Sequence, residues 1–431
     1  MTRFTPAPRL VGALTLPGDK SISHRALLFA ALAPGASELR GLGTGEDVRA
    51  TANALQQLGI PVAWQGEDAT VQGRPLAQWQ TPSAPIDCGN SGTTLRLLMG
   101  LLAAAPGLEA TLIGDASLLR RPMARVAEPL RRMGAEITLS ETGTAPVHIR
   151  GKALQGQDHV LPVASAQVKT ALLLAGLHAA GATTVREPAQ SRDHTERMLG
   201  AMGADLTVHE GEIRIQPSPL RSLGRVQVPG DPSSAAFFAI AALLHPRADV
   251  TVDGLCLNPG RIGFASVLER MGARMLTGVQ RTVFGEPVGR LHALSSILRA
   301  TRIDAAEVPA CIDELPILAL AAACARGTSV FSGIGELRVK ESDRLAATAR
   351  LLRLLGAQVR DSSDRLEIVG KGQASRLAGG RFDAGPDHRM AMTAAIAGTV
   401  GGAAIDVEGM ESISSSFPGF VDALRSLRGA G

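Results

Sequence analysis

A chain of 431 residues with 45% hydrophobic side chains, 48 Gly and 25 Pro is long enough for more than one packed domain and too apolar to be a disordered polymer. Its charge is nearly balanced, 44 basic against 40 acidic side chains, and with 3% aromatics and no Tyr it lacks the stacking surface of a nucleic-acid binder. The longest apolar runs, 97–105 and 317–325, fall short of the ~20 residues of a membrane span, the first ten residues hold no signal-peptide core, and the four cysteines form no CxxC pair; a cytoplasmic protein with reduced thiols and small anionic ligands is expected.

In chain order, the first strong signal is PGDKSISHRALLF, from Pro17 to Phe29. Pro-Gly breaks the chain, Asp19, Ser21 or Ser23 can cap a helix, and an apolar run follows. Lys20 and Arg25 fall in the first two turns, where the helix dipole disfavours a cation by roughly 0.3–1 kcal/mol. Two cations at a helix start form an anion site, or else both reach out into water. This stretch alone does not separate the two.

The same device recurs. Nearly all-apolar helices with polar starts begin at Lys20, Asn90, Ser165, Asp231, Asp313 and Asp387, 66 to 82 residues apart. A helix apolar on every face is a buried one. A second, helix-ending signature recurs in step, with turn glycines at Gly59, Gly134, Gly203, Gly272 and Gly356 and a degenerate sixth copy in LRSLRGAG, 424–431. Short alternating runs such as Ala110–Ile113, Thr183–Arg186, Glu212–Ile215 and Arg365–Ile368 predict strands. Each unit then has helix, strand, helix and two strands. The last unit is short, and RLVGALTLPG (Arg9–Gly18) is a strand with no unit of its own, so the N-terminal strand is expected to complete the sixth unit. Two groups of three give one domain of 1–18 plus 229–431 and another of 19–228, with the ligand site in the cleft between them.

The polar starts are equivalent positions and carry the chemistry. Arg96, Lys169 and Arg389 lie near helix starts, and Arg120, Arg121, Arg192, Arg338, Lys340 and Arg344 lie in loops. Clustered Arg receives carboxylate and phosphate. Asp231-Pro232 reads as a cap with Pro at the first helical position. Asp313 is either a helix cap or, facing such cations, a general base, and Glu341 is either a second catalytic carboxylate or a surface ion pair. GDKS is no Walker loop, His194 and His388 lack metal-ligand spacing, and Ser21, Ser91 and Ser165 suit capping or phosphate binding better than nucleophilic attack.

The motifs PGDKSISHRA, GNSGTTLR, DASLLRRPM, SAQVK, SRDHTE, IDELP, RVKESDR, DHRMAM and SSSFPGF resemble those of the 5-enolpyruvylshikimate-3-phosphate (EPSP) synthase family almost end to end. The resemblance implies a two-domain inverse α/β barrel built from six βαβαββ repeats, the enolpyruvyl transferase fold. It implies transfer of the enolpyruvyl group of phosphoenolpyruvate to the 5-hydroxyl of shikimate 3-phosphate by addition and elimination with domain closure, by a monomer, with no metal or organic cofactor. By the same resemblance Lys20 touches both substrates, and Ser21, Arg25, Ser165, Ala166, Gln167, Arg192, Asp313 and Lys340 surround shikimate 3-phosphate. Asn90, Gly92, Arg121, Gln167, Arg344 and Arg389 surround phosphoenolpyruvate. Asp313 takes the hydroxyl proton, and Glu341 or Lys20 exchanges a proton with the methylene carbon. Ser415, where some members carry Lys, and Ala166, where some carry Ser, resemble the class II branch. The sister UDP-N-acetylglucosamine enolpyruvyl transferases usually carry a reactive Cys in the loop that here reads GDASLLRRP, 114–122. The related RNA 3′-phosphate cyclases fit the scarce aromatics poorly.

Overall fold

In the computed structural model, which describes residues 1–428, six helices carry the apolar runs: α1 (Lys20–Leu32), α2 (Gly92–Ala103), α3 (Ala166–Gly176), α4 (Pro232–Leu244), α5 (Leu315–Cys324) and α6 (His388–Val400). All six are buried along nearly their whole length, because no face offers enough polar groups to meet water. The final residues of the sixth helix-ending copy, 429–431, lie outside the described residues. The other turn glycines, at 59, 134, 203, 272 and 356, all adopt positive φ, the left-handed conformation that ends each second helix.

Among the described residues the strands form six small sheets. Five share one order: a parallel pair, then two further strands added antiparallel, as in Ile86–Asp87, Glu109–Ile113, Val147–Arg150 and Glu136–Thr138. The sixth has three strands, Gly380–Asp383 parallel to Ile405–Glu408, with Thr2–Phe4 antiparallel on the outside. The segment expected to complete that unit, Arg9–Gly18, does something else. Its strand Leu10–Thr15 pairs parallel with Ala248–Cys256 in the fourth sheet. The last unit is closed instead by the three residues at the very start of the chain. Arg225–Gln227 plays the matching part for the first sheet, pairing parallel with Gly35–Arg40. In each half of the chain, then, the first repeat borrows its edge strand from a distant segment.

These borrowings fit the division of the chain. One unit comprises Met1–Pro17, Pro229–Thr282 and the chain from Pro287 onward; the other comprises Gly18–Val228 and Val283–Glu286. The short tip Val283–Glu286 departs from the expected boundaries. Within its unit, buried Glu286 accepts from His194 Nδ1 at 2.8 Å, and the Gly285 carbonyl accepts from Arg197 at 2.7 Å. In the unit of Gly18–Val228, α2 and α3 approach backbone to backbone. A Cβ on Gly100 would stand 2.2 Å from the Ala171 carbonyl oxygen, so only Gly fits that crossing. In the other unit the SSSFPGF stretch supplies Phe417 and Phe420, whose rings pack on Phe238 with centroids 6.2 and 5.6 Å away. Among the described residues no helix is long and apolar enough to cross a membrane.

Buried imidazoles give the fold a pH dependence. Burial, reinforced by Lys20 and Arg25, holds His24 well below its ordinary 6.5, and burial pushes His159 and His178 down to about 4. Neutral when folded, all three take up a proton near pH 6.5 once unfolded. Their contribution to stability is complete above about pH 6.5 and is lost as pH falls toward 4. Burial raises the Glu196 carboxyl, which acts with the opposite sign: its contribution is present below its ordinary 4.5 and lost as pH rises through the folded value. Three groups outweigh one, so the urea midpoint is expected to be lower at pH 5 than at pH 7.5. An unchanged or higher midpoint at pH 5 would contradict this.

Candidate active site

In the unit of Gly18–Val228, Asp19 caps α1, its Oδ1 accepting from the Ile22 amide at 2.8 Å. The cations behind this cap do not dangle in water. Lys20 is ion-paired with Asp47, the two side chains being 17% and 8% exposed. Arg25 is enclosed: Nε donates to Thr195 Oγ1 at 2.8 Å, Nη2 to Thr170 Oγ1 at 2.7 Å and Nη1 to the Ser21 carbonyl at 3.0 Å. Burial pushes its guanidinium down to about 10, still charged at neutral pH, and Arg192 acts on it as a nearby like charge. Glu196, Asp19 and Glu286 act on it as opposite charges, but its hydrogen bonds go to neutral oxygens, so no carboxylate occupies its fork in place of an incoming anion.

The starts of α2 and α3 meet beside it. Ser91 and Ser165 cap the two helices, accepting from the Thr94 and Val168 amides at 3.1 and 3.4 Å. Gln167 donates to Thr93 Oγ1 at 2.9 Å and accepts from Arg96 Nη1. Arg121 donates to Asn90 Oδ1 at 2.5 Å and Ser117 Oγ at 3.3 Å, while the Asn90 amide donates to Asp115 at 2.7 Å. Gly92 leaves room around the guanidiniums: a Cβ there would stand 3.2 Å from Arg121 Nη1 and 3.5 Å from Arg96 Nη1. Ala166 opens α3, and its carbonyl accepts from Thr170 at 2.6 Å. Lys169 departs from expectation. It is 1% exposed, 2.8 Å from Glu187 and 2.7 Å from Glu196, so it is neutralised inside the unit and is no anion receptor.

The other unit gathers the carboxylates. Asp313 precedes α5 but does not cap it: Glu314 occupies the cap position, and no side chain makes a capping bond there. Instead Asp313 Oδ1 lies 3.3 Å from Arg344 Nη1 and 3.9 Å from Lys340 Nζ, and its Oδ2 lies 3.8 Å from Arg389 Nη2. Its carbonyl accepts from Arg389 Nη1 at 2.9 Å. Three cations around one carboxylate favour its charged, proton-accepting form. Glu341 Oε2 lies 2.5 Å from Arg344 Nη2 and is 17% exposed, so it is part of this cluster rather than a loose surface pair.

Arg344 is the hub. Nε donates to Asp387 Oδ2 at 2.8 Å and Nη2 to Asp387 Oδ1 at 3.3 Å. Burial alone would lower its pKa, but Asp387, Glu341 and Asp313 outweigh burial and hold it well above its ordinary value. Asp387 also caps α6 through the Arg389 amide at 3.0 Å and accepts from Ser342 at 2.8 Å. Sequence reasoning saw Asp387 only as a helix start, and a cap signal says nothing about a second role. Fully buried Glu314 accepts from Ser233 and lies 3.6 Å from Arg389 Nη1. Asp231 does cap α4, through the Ser233 amide at 2.7 Å. Ser415 donates to the Ser412 carbonyl at 2.8 Å and lies 3.2 Å from His388 Nδ1, next to Arg389. Among the described residues no group of three or more His, Cys, Asp or Glu is arranged to hold a metal ion.

The architecture is that of an enolpyruvyl transferase. The EPSP synthase of Acinetobacter baumannii superposes with a TM-score of 0.88 at 40% identity, covering 99% of this chain and 98% of that one. The enolpyruvyl transferase NikO of Streptomyces tendae, at 18% identity, shares the fold with a TM-score of 0.79 over 99% of this chain and 96% of its own. The sequence model for EPSP synthase (3-phosphoshikimate 1-carboxyvinyltransferase) matches residues 4–424. A 3-phosphoshikimate 1-carboxyvinyltransferase of a Synechococcus strain is 48% identical over 428 residues, 97% of each chain, and that of Acidithiobacillus ferrooxidans is 46% identical over 425 residues, 97% of this chain and 96% of its own. The chain belongs to the EPSP synthase family.

Proposed function

We propose that this chain transfers the enolpyruvyl group of phosphoenolpyruvate to the 5-hydroxyl of shikimate 3-phosphate and releases phosphate, a step of the shikimate pathway to the aromatic amino acids. Family membership supports the reaction, and the observation that carries the residue assignment is Asp313 set among Arg344, Lys340 and Arg389 with Glu341 alongside. Asp313 takes the proton of the attacking hydroxyl, whose oxygen bonds to the carbon bearing the phosphate ester. Glu341 or Lys20 delivers a proton to the methylene carbon, which becomes a methyl group. Loss of a methyl proton then expels phosphate and restores the enol double bond. Positive charge builds on the ester-bearing carbon along the way, and fixed carboxylates stabilise it.

Ser21, Arg25, Ser165, Ala166, Gln167, Arg192 and Lys340 are assigned to shikimate 3-phosphate, whose dianionic phosphate suits the enclosed Arg25. Asn90, Gly92, Arg121, Arg344 and Arg389 are assigned to phosphoenolpyruvate, which brings both a phosphate and a carboxylate for guanidinium forks. Lys20 and Gln167 serve both. The reaction requires the two sets to act on one substrate pair. Among the described residues the four cysteines are buried and no disulfide joins them, which supports a reducing, cytoplasmic compartment.

The test is phosphate release from phosphoenolpyruvate with each candidate acceptor. Turnover is expected with shikimate 3-phosphate and none with UDP-N-acetylglucosamine. The reverse result would overturn the assignment.

A further inference from the structure

We infer that Glu187 is a positioning residue for the acceptor substrate, fixing the Ser165 end of α3 and the Ser191-Arg192 segment in one geometry. The inference rests on the assignment of Ser165, Gln167 and Arg192 to shikimate 3-phosphate. Glu187 follows the strand Thr183–Arg186, and its carboxylate is 2% exposed. Four donors from two segments, the start of α3 and the Ser191 loop, converge on it. Oε1 accepts from the Ser165 amide at 3.1 Å. Oε2 accepts from Ser191 Oγ at 2.8 Å, from the Ser191 amide at 3.3 Å and from Lys169 Nζ at 2.8 Å.

Chemistry makes the arrangement demanding. Both amides and the ammonium can only donate, so both oxygens of the group at 187 must accept. A glutamine has the same shape but turns its NH₂ toward one of those donors, leaving one segment without its anchor. Lys169 supplies the compensating charge and is held from its other side by Glu196 Oε1 at 2.7 Å. Ser165 and Ser191 flank the residues that face the acceptor, and a buried donor left unpaired costs on the order of 10- to 100-fold in the equilibrium that depends on it. None of these bonds involves Asn90, Arg121, Arg344 or Arg389, and Gln167, which serves both substrates from the same end of α3, is held separately by Thr93 and Arg96, so the larger effect falls on shikimate 3-phosphate.

The experiment compares Glu187→Gln with Glu196→Gln by isothermal titration of shikimate 3-phosphate and by steady-state kinetics in both substrates. Glu187→Gln is expected to weaken shikimate 3-phosphate about 10- to 100-fold, with the phosphoenolpyruvate KM and kcat moving less than about threefold. Glu196→Gln removes the other carboxylate from the same lysine and leaves Ser165 and Ser191 anchored. The hydrogen bonds that hold Arg25, to Thr195, Thr170 and the Ser21 carbonyl, do not involve Glu196, so shikimate 3-phosphate binding is expected to stay within about threefold of the parent. Equal effects of the two substitutions, equal shifts for both substrates, or no shift for Glu187→Gln would each overturn the inference. If Glu187→Gln does not fold, Glu187→Asp keeps the charge and shortens the reach; it is expected to weaken shikimate 3-phosphate selectively, and parent-like binding would overturn the inference. Arg25→Ala and Arg192→Ala separate the levels. If they leave shikimate 3-phosphate binding intact, the site assignment fails; if they weaken it while Glu187→Gln does not, only the role of Glu187 fails.

Discussion

Asp313→Asn is expected to lower kcat by about 10²–10⁴-fold, about 2.7–5.4 kcal/mol of barrier, with the melting temperature and the shikimate 3-phosphate KM little changed. The carboxylate at 313 makes no capping bond to α5, so its amide analogue leaves the helix start intact. Its own carbonyl, and not its side chain, receives the closest contact from Arg389. What the substitution removes is the ability to accept a proton beside Arg344 and Lys340. Stopped-flow and steady-state kinetics check this with one protein. Near-normal kcat would return Asp313 to a structural role. A collapse in stability without loss of kcat per folded molecule would do the same.

Arg344→Met is expected to damage both stability and phosphoenolpyruvate binding. Arg344 is 1% exposed and faces Asp387, Glu341 and Asp313, and Asp387 is fully buried. Removing the cation strands a buried carboxylate, which costs about 3–5 kcal/mol and roughly 6–20 °C in Tm. The phosphoenolpyruvate KM is expected to rise about 30-fold or more, since one arm of its guanidinium clamp is gone. Arg344→Lys divides the two effects. A lysine restores a positive charge next to Asp387 but cannot bridge Asp387 and Glu341 with one planar fork, so most of the stability returns and the KM does not. Thermal melts and kinetics on the three proteins check the pair of effects. A stable Arg344→Met enzyme with parent-like KM would contradict both.

The buried helices were legible because their composition leaves no polar face, and the turn glycines because a left-handed residue is so restrictive. The closing strands were not. Leu10–Thr15 is visible as a short apolar run ahead of Pro17-Gly18, but parallel pairing with Ala248–Cys256 leaves no local trace. Thr2–Phe4, which completes the last sheet, is three residues long and below any period. The tip Val283–Glu286 carries no local sign of its pairing, because its partner His194 lies 92 positions away from Glu286. In the site, the cations stood out by opposing the dipole of their own helices. Their partners did not: Asp47 behind Lys20, Thr195 behind Arg25 and Asp387 behind Arg344 are distant in sequence and have bland local readings. Lys169 carried the same signal as the others and proved to be an internal charge, since nothing local shows that Glu187 and Glu196 close over it.

The claim at the centre is addition followed by elimination, with one group taking the hydroxyl proton and another working at the methylene carbon. Running phosphoenolpyruvate and shikimate 3-phosphate in D₂O and reading the vinyl protons of the product by NMR tests it most directly. Passage through a methyl intermediate predicts deuterium in the vinyl position of the product, in step with phosphate release. A product formed at full rate with no deuterium in its vinyl group would contradict the account.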